Sequence, residues 1–309
     1  MKKRNHRRHK PNSFWLILNL FLLFACVLSI AFLVFTLKDR KISLNNSASS
    51  TKISKIQNQK ASTTPTNSSK QNTNTDTVEW KKANETVSVP ILMYHAIHNI
   101  APEEAANANL IVDPITFESH IQRLAQEGYY FLTPEEAYRV FTENVLPNGN
   151  NKIIWLTFDD SLWDFHDIAY PILKKYKAKA TNNVITGTVG NSGNLSLEQM
   201  LDMKKHGMSF QDHTVNHPDL SVQSAETQKN EMKESKVYLD QNLNQNTIAI
   251  AYPAGRYSDT TLELASNLDY KLGVTTNEGI ANINNGLLSL NRVRILPTTT
   301  ADTLLATIS

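Results

Sequence analysis

Hydrophobic positions follow three regimes along the chain. From Phe14 to Leu37 they are nearly unbroken, with only Asn19, Ser29 and Thr36 clearly polar. About 20 consecutive apolar residues suffice for a helix to cross a hydrocarbon core, so this run predicts one membrane span. From about Lys41 to Trp80 large apolar residues almost vanish. The stretch NSASSTKISKIQNQKASTTPTNSSKQNTNTDT is built from Ser, Thr, Asn, Gln and Lys, which cannot bury a core and predict a flexible tether.

Beyond the tether the pattern changes again. Short apolar, β-prone runs (VPILMYH, KIIWLTF, KATNNVIT and TIAIAYP) read as buried strands, and amphipathic stretches separate them. Asp113-Pro114 and Thr133-Pro134-Glu135-Glu136 mark two helix starts, each a capping side chain followed by proline at the first helical position. Helices are expected at about 114–127, 134–144, 164–176, 196–206, 224–243 and 259–267. That alternation predicts an α/β fold, a deformed or incomplete (β/α) barrel. There is no internal repeat and no phosphate-binding glycine loop. The predicted organisation is a basic cytoplasmic segment over 1–13, a transmembrane anchor over 14–37, a linker over 38–85 and one catalytic domain over 86–309.

Charge sharpens this picture. The whole chain carries +2, yet from Lys81 onward 18 Lys and Arg face 26 Asp and Glu, a net charge of −8. The basic surplus lies in the anchor and tether, with Lys2, Lys3, Arg4, Arg7, Arg8 and Lys10 ahead of the apolar run. Basic flanks stay cytoplasmic, so the long remainder is expected outside, in a single-pass cell-membrane protein. A cleavable signal peptide has a shorter apolar core, about 7–15 residues, and ends in a small-residue site not found after Leu37. Cys26 is the only cysteine, so the outer domain holds no disulfide; bulky Phe24 argues against lipidation there. An acidic domain excludes nucleic acid, which needs clustered Lys and Arg, and suits a neutral glycan. No obligate protein partner is evident.

Candidate chemistry gathers at two places. Asp159 and Asp160 follow the strand-like run Ile153–Phe158, and ends of barrel strands are where catalytic groups collect. Alone, such a pair serves as readily as a turn or helix cap. His213 and His217 stand four apart, so one helical turn or a tight loop can direct both imidazoles to one point, as a metal requires. Alone, they are as readily surface or core histidines.

Taken in order, TFDDS, HTVNHPDL, AYPAGRY and the stretch from GVTTNEG to LNRVRI resemble the successive motifs of the polysaccharide deacetylase family, over about residues 89–297. ILMYH near the start resembles the branch acting on poly-N-acetylglucosamine-type polymers. The resemblance implies that Asp160, His213 and His217 hold a divalent metal while Asp159 stays free as catalytic base. It also implies that Tyr252, Pro253, Ala254 and Arg256 line the substrate side, with a backbone N–H near Ala254 facing the oxyanion. Two imidazoles and a carboxylate suit Zn2+, and Co2+, Ni2+ or Fe2+ could occupy the same set.

Departures from the family pattern are plain. Ser161 stands where glycine is usual, Asp212 precedes His213 in place of a small polar residue, and NNVI replaces a more aromatic strand. The late Leu-x-His motif that supplies the general acid in many members reads Leu290-Asn291-Arg292. Arg292 is then expected to orient a carboxylate or the sugar, or to be a structural pairing. His95, ending the first predicted strand on the same rim as the aspartates, is the candidate general acid; His98 lies beyond the strand and His166 in the next helix. The expected activity is metal-dependent removal of N-acetyl groups from an extracellular or cell-wall glycan containing N-acetylglucosamine. Alternatives are a catalytically impaired glycan-binding module of the same fold and an O-acetyl polysaccharide esterase. A reporter fused after Ser309 should respond to external protease in spheroplasts; protection of that end would contradict the topology.

Overall fold

The computed structural model describes residues 78–309. The expected basic segment, the expected membrane span and most of the expected tether lie outside the described residues. Among the described residues no helix is long and apolar enough to cross a membrane.

Seven parallel strands close into a ring in chain order: β1 (Ile91–Tyr94), β2 (Ile153–Phe158), β3 (Ala180–Val184), β4 (Met208–Asp212), β5 (Ala249–Ala251), β6 (Leu272–Glu278) and β7 (Leu290–Arg294). Strand β7 returns to β1 through Val293↔Leu92 and Arg294↔Met93, and β1 pairs with β2 from Ile91↔Trp155 to Tyr94↔Phe158. The barrel is therefore closed, although deformed. A single register pair, Asp212↔Ile250, joins β4 to β5, and the β6–β7 register shifts between Val274 and Glu278. Strands β2 and β3 meet only at Thr157↔Thr181 and Phe158↔Asn182, while Tyr130–Phe131 pairs with the start of β2.

Strands β1, β2, β3 and β5 fall within the expected apolar runs, since a strand buried on both faces reads as continuous hydrophobicity. Strands β4, β6 and β7 were not named from the sequence because Gln211, Asp212, Thr275 and Arg292 interrupt their apolar pattern; all four are buried. Pro253 starts a tight turn and so shortens β5 relative to the run TIAIAYP.

Period-two alternation sorts the side chains of β2. Ile154, Leu156 and Phe158 join the layer beneath the helices, whereas Ile153 and Trp155 pack in the other core cluster with β1, β5, β6 and β7 residues. The second set continues as Thr157 and then Asp159, which carries a carboxylate onto the inner face at the strand's C-terminal end. By the same alternation Ile91 and Met93 of β1 and His95 just beyond it share a face, as do Leu290, Arg292 and Arg294 of β7.

Helices α1 (Pro114–Gln126), α2 (Pro134–Glu143), α3 (Tyr170–Lys175), α4 (Leu197–Lys204), α5 (Ala225–Leu243), α6 (Asp259–Asn267) and α7 (Ala301–Ile308) surround the ring. Asp113 caps α1 by accepting from the Ile115 and Thr116 N–H groups, both at 3.0 Å. At α2 the reciprocal cap is complete, the Glu136 N–H reaching Thr133 Oγ1 at 3.2 Å and the Thr133 N–H reaching Glu136 at 2.8 Å. The helix expected over 164–176 is present over 164–175, but its first part, Phe165–Ala169, is wound more widely as a π-helix before continuing as α3, and Pro171 removes one donor from the regular ladder. Trp80–Lys82 pairs antiparallel with Val145–Pro147, so the domain starts ahead of the boundary expected at 86.

Past Asp159, β2 exits through Asp160 at φ 74° and Ser161 at φ 49°. This left-handed backbone explains why a glycine suits position 161: a Cβ there costs roughly 1–2 kcal/mol. Ser161 is also fully buried, and its hydroxyl has no hydrogen-bond partner among the described residues. Ser161→Gly relieves both costs, and these outweigh the added chain entropy of about 0.4–1 kcal/mol. The substitution is expected to raise Tm by about 2–4 °C. A lower Tm would overturn this account of the turn.

Candidate active site

The site is built where β1, β2, β4, β5, β6 and β7 end on one rim. Its centre is a buried ion pair. Both nitrogens of the Arg292 fork donate to Asp159, Nη1 to Oδ1 at 2.9 Å and Nη2 to Oδ2 at 2.7 Å. Arg292 is held in turn by the Thr275 carbonyl at 2.7 Å and by Thr157 Oγ1 at 3.1 Å. Asn183 from β3 donates a third hydrogen bond to Asp159 at 2.7 Å. Burial alone would raise the Asp159 pKa, but the Arg292 charge, with His213 and His95 behind it, holds the carboxyl well below the usual carboxylate range. Asp159 is thereby an acceptor at any physiological pH.

Asp160, its neighbour in sequence, is turned elsewhere by its positive φ. Its Oδ1 lies 3.4 Å from His213 Nε2 and 3.7 Å from His217 Nε2, and one ligand atom from each of the three lies within 4.8 Å of the others. His213 follows β4, and its Nδ1–H donates to the Ala251 carbonyl at 2.7 Å, which fixes the tautomer and leaves the Nε2 lone pair facing Asp160. His217 is brought alongside by a tight loop rather than a helical turn. Thr214 and His217 both have positive φ, and the His217 N–H donates to Thr214 Oγ1 at 3.0 Å. Burial and the neighbouring His213 lower the His217 pKa, favouring the neutral imidazole that a metal ligand must be. One hard carboxylate and two imidazole lone pairs converging on one point fit a divalent cation of the zinc type, with positions left open.

Two carboxylates position this loop, half-buried Glu231 and fully buried Asp212, neither of which the sequence marked as functional. Glu231 of α5 accepts from the Val215 and Asn216 N–H groups at 3.0 and 2.8 Å. Asp212 accepts from the Thr214 N–H and the Tyr270 hydroxyl, and burial pushes its pKa up to about 7. The departure at 212 is thus a brace beneath the histidine loop.

A cavity of about 210 Å³ opens over these groups, and His95, Leu110, Ala254, Thr276 and Arg294 complete its wall. His95 immediately follows β1, is 15% exposed, and places Nε2 4.0 Å from Asp159 Oδ2. Burial lowers its pKa, while the Asp159 and Asp160 charges act in the opposite sense. His98 and His166 turn away from this cavity, toward Asp164 and Asp167 respectively.

Of the residues expected on the substrate side, only Ala254 reaches the cavity. Tyr252 and Pro253 are buried, and the Tyr252 hydroxyl donates to the Leu288 carbonyl at 2.9 Å. Arg256 is exposed and pairs with Asp219 at 2.7 Å. Arg292 lies beneath Asp159, the carboxylate-orienting one of its expected roles. Gly255, at φ 68°, lets the turn pack on β6, since a Cβ there would stand 2.6 Å from the Thr276 nitrogen. Asn183, Leu110, Thr276 and Arg294 were missed. Alternation along β3 could have signalled Asn183, and that along β7 Arg294.

Comparison with known proteins agrees with this architecture. Residues 147–273 match the family model described as polysaccharide deacetylase. The Bacillus subtilis protein YxkH is 39% identical over 222 residues, 72% of this chain and 76% of that protein. The poly-β-1,6-N-acetyl-D-glucosamine N-deacetylase of Staphylococcus aureus strain MRSA252 is 30% identical over 201 residues, 60% of this chain and 68% of its own length. The solved structure of the Streptococcus pyogenes deacetylase PplD in complex with acetate is 63% identical and superimposes with a TM-score of 0.71, covering 73% of this chain and all of that one. Likeness of this breadth, over a closed barrel with the motifs in order on its rim, is decisive: the chain belongs to the polysaccharide deacetylase family.

Proposed function

We propose that this polysaccharide deacetylase hydrolyses N-acetyl groups on an N-acetylglucosamine-containing glycan outside the cytoplasm, using a divalent metal, Zn2+ by default, held by Asp160, His213 and His217. The observation that carries the reading is the adjacent pair of carboxylates with separate partners. Asp160 faces two imidazoles, while Asp159 is withdrawn from them into the Arg292 fork. The basic segment ahead of the apolar run at the N-terminus supports the location, and the polymer named for the Staphylococcus aureus relative supports the substrate class.

An amide is a poor electrophile, and a bound divalent cation supplies the Lewis acidity that polarises its carbonyl and acidifies the attacking water. Asp159, locked ionised, accepts the water proton as the C–O bond forms; its Asn183 and Arg292 contacts fix which oxygen lobes remain free. The Ala254 N–H is the backbone donor assigned to the oxygen that gains charge, because the Gly255 and Arg256 N–H groups bond to the Tyr252 and Pro253 carbonyls. His95 then donates a proton to the departing nitrogen as the C–N bond breaks, giving a free amine and acetate. Protonation is required because an amide nitrogen is a far worse leaving group than an alkoxide. A rim carrying His95 therefore suits an amide better than an O-acetyl ester.

His213→Ala and His217→Ala are expected to purify metal-poor; stoichiometric zinc in either would remove that residue from the ligand set. Asp159→Asn should keep its metal and lose nearly all deacetylation, whereas Asp160→Asn should lose both, and identical behaviour would contradict the division of roles. His95→Ala should stay metal-loaded and slow amine release from N-acetylated oligomers about 10²–10⁴-fold. Near-normal turnover would show that nitrogen protonation comes from elsewhere.

A further inference from the structure

Between β1 and α1 the chain runs out along the rim and back. Ala96 and Ile97 pair in parallel with Ile111 and Val112, which closes the base of a loop over residues 98–110. Most of the loop is a 3-10 helix, Pro102–Leu110, and Leu110 at its end lines the cavity over Asp159 and Asp160. No residue of that helix is buried, so apolar packing does little to hold it. We infer that His98 is a positioning residue for the reaction: as an imidazolium it clasps this loop to the turn after β2, and loss of its proton frees the loop and with it one wall of the cavity. The inference rests on the site proposed above.

The contacts of His98 call for two N–H groups. Nδ1 lies 2.7 Å from Oδ2 of fully buried Asp164, and Nε2 lies 3.0 Å from Oε1 of Glu104. Both acceptors are carboxylate oxygens. A neutral imidazole has one N–H and one lone pair, so with both carboxylates ionised it would turn that lone pair onto one of them. Each carboxylate passes the restraint to the backbone: Asp164 accepts the Ile97 N–H at 2.8 Å, and Glu104 the Ala101 N–H at 2.8 Å. Trp163 stacks on the imidazole at 22° with centroids 6.0 Å apart, an arrangement that favours a cation. A continuous chain of charge-assisted hydrogen bonds thus runs from the start of the loop to the segment just beyond Asp160.

Burial alone would lower the His98 pKa, but the hydrogen bonds and charges of Asp164 and Glu104 raise it. Burial raises that of Asp164, against the pull of His98 and the Ile97 N–H. The pair therefore keeps its proton to higher pH than a free imidazole does. His95 and Asp160, which line a cavity of about 350 Å³ together with His98 and Glu104, are the other titratable groups facing it. Because the folded pKa of His98 lies above the ordinary value of about 6.5, the clasp is fully present below that value and is lost as pH rises through the folded one.

The test compares the full chain as wild type, His98→Gln and His98→Arg. Hydrogen–deuterium exchange of the peptide over 98–110 is followed from about pH 6 to about pH 9, with the peptide over 225–243 of α5 as internal reference. In the wild type, protection of 98–110 relative to the reference is expected to fall about 10-fold as pH rises, the scale of one charge-assisted hydrogen bond. His98→Gln should show the low value throughout, and His98→Arg, which stays charged and donates in more than one direction, the high value. Protection independent of pH in the wild type, or falling with pH in His98→Arg as it does in the wild type, would overturn the clasp. Free-amine release from a β-1,6-linked N-acetylglucosamine tetramer at about pH 6 is measured in parallel, and should be about 3–10-fold slower in His98→Gln and restored in His98→Arg. A loosened loop in His98→Gln with amine release at the wild-type rate would overturn the positioning role. Amine release with 98–110 exchange indifferent to position 98 defeats the clasp alone. The expected exchange pattern with no amine release from the wild type defeats the deacetylase reading alone.

Discussion

The fork of Arg292 around Asp159 is the constraint on which the rest of the rim depends. A carboxylate fully inside a barrel is tolerable only if a partner meets it with good geometry, and removing one member of such a pair costs about 3–5 kcal/mol. Here the partners come from β7 and the end of β2, with β1 between them, so the pair can form only once the ring has closed. Thr157 and Thr275 accept further Arg292 N–H groups, and Asn183 donates a further hydrogen bond to Asp159. Lysine could not replace Arg292, because a point charge lacks the two parallel donors that set the plane of the carboxylate.

That one contact separates two residues that the sequence presents as a pair. Strand alternation carries Asp159 onto the inner face, into the fork. The left-handed turn then swings Asp160 out to the histidines. Charge follows geometry: Asp159 is stabilised as an anion by a fixed cation, while Asp160 is left for the imidazole pair and whatever cation they bind. In linkage terms the depressed Asp159 pKa contributes stability present above the unfolded carboxylate pKa and lost as pH falls through the folded value.

Much of this was legible before the structure. Strands with uninterrupted apolar runs announced themselves, as did the proline-led helix starts, and His213 with His217 carried a spacing compatible with one shared target, which the order of the motifs favoured. His95 was found by its place at the end of a strand. Illegible were the strands whose inner faces are polar, since β4, β6 and β7 break the hydrophobic pattern with the side chains that serve the site. Partnerships across the ring were equally hidden. Asp159 and Arg292 stand 133 residues apart, and nothing local chooses between Arg292 as a clamp and Arg292 as a sugar contact. The AYPAGRY motif misled in detail, because its backbone turn borders the cavity while Tyr252 and Arg256 serve packing and surface pairing.

The central claim is that Asp159 is held ionised by Arg292 and stands apart from the metal-binding set. Difference infrared titration of the full chain, wild type minus Asp159→Asn, reads the protonation of that single carboxyl. The account predicts no carboxylic-acid band from Asp159 as the pH is lowered from neutrality to about 4, the pKa of an unperturbed aspartate. A band appearing with a midpoint near or above that value would contradict it.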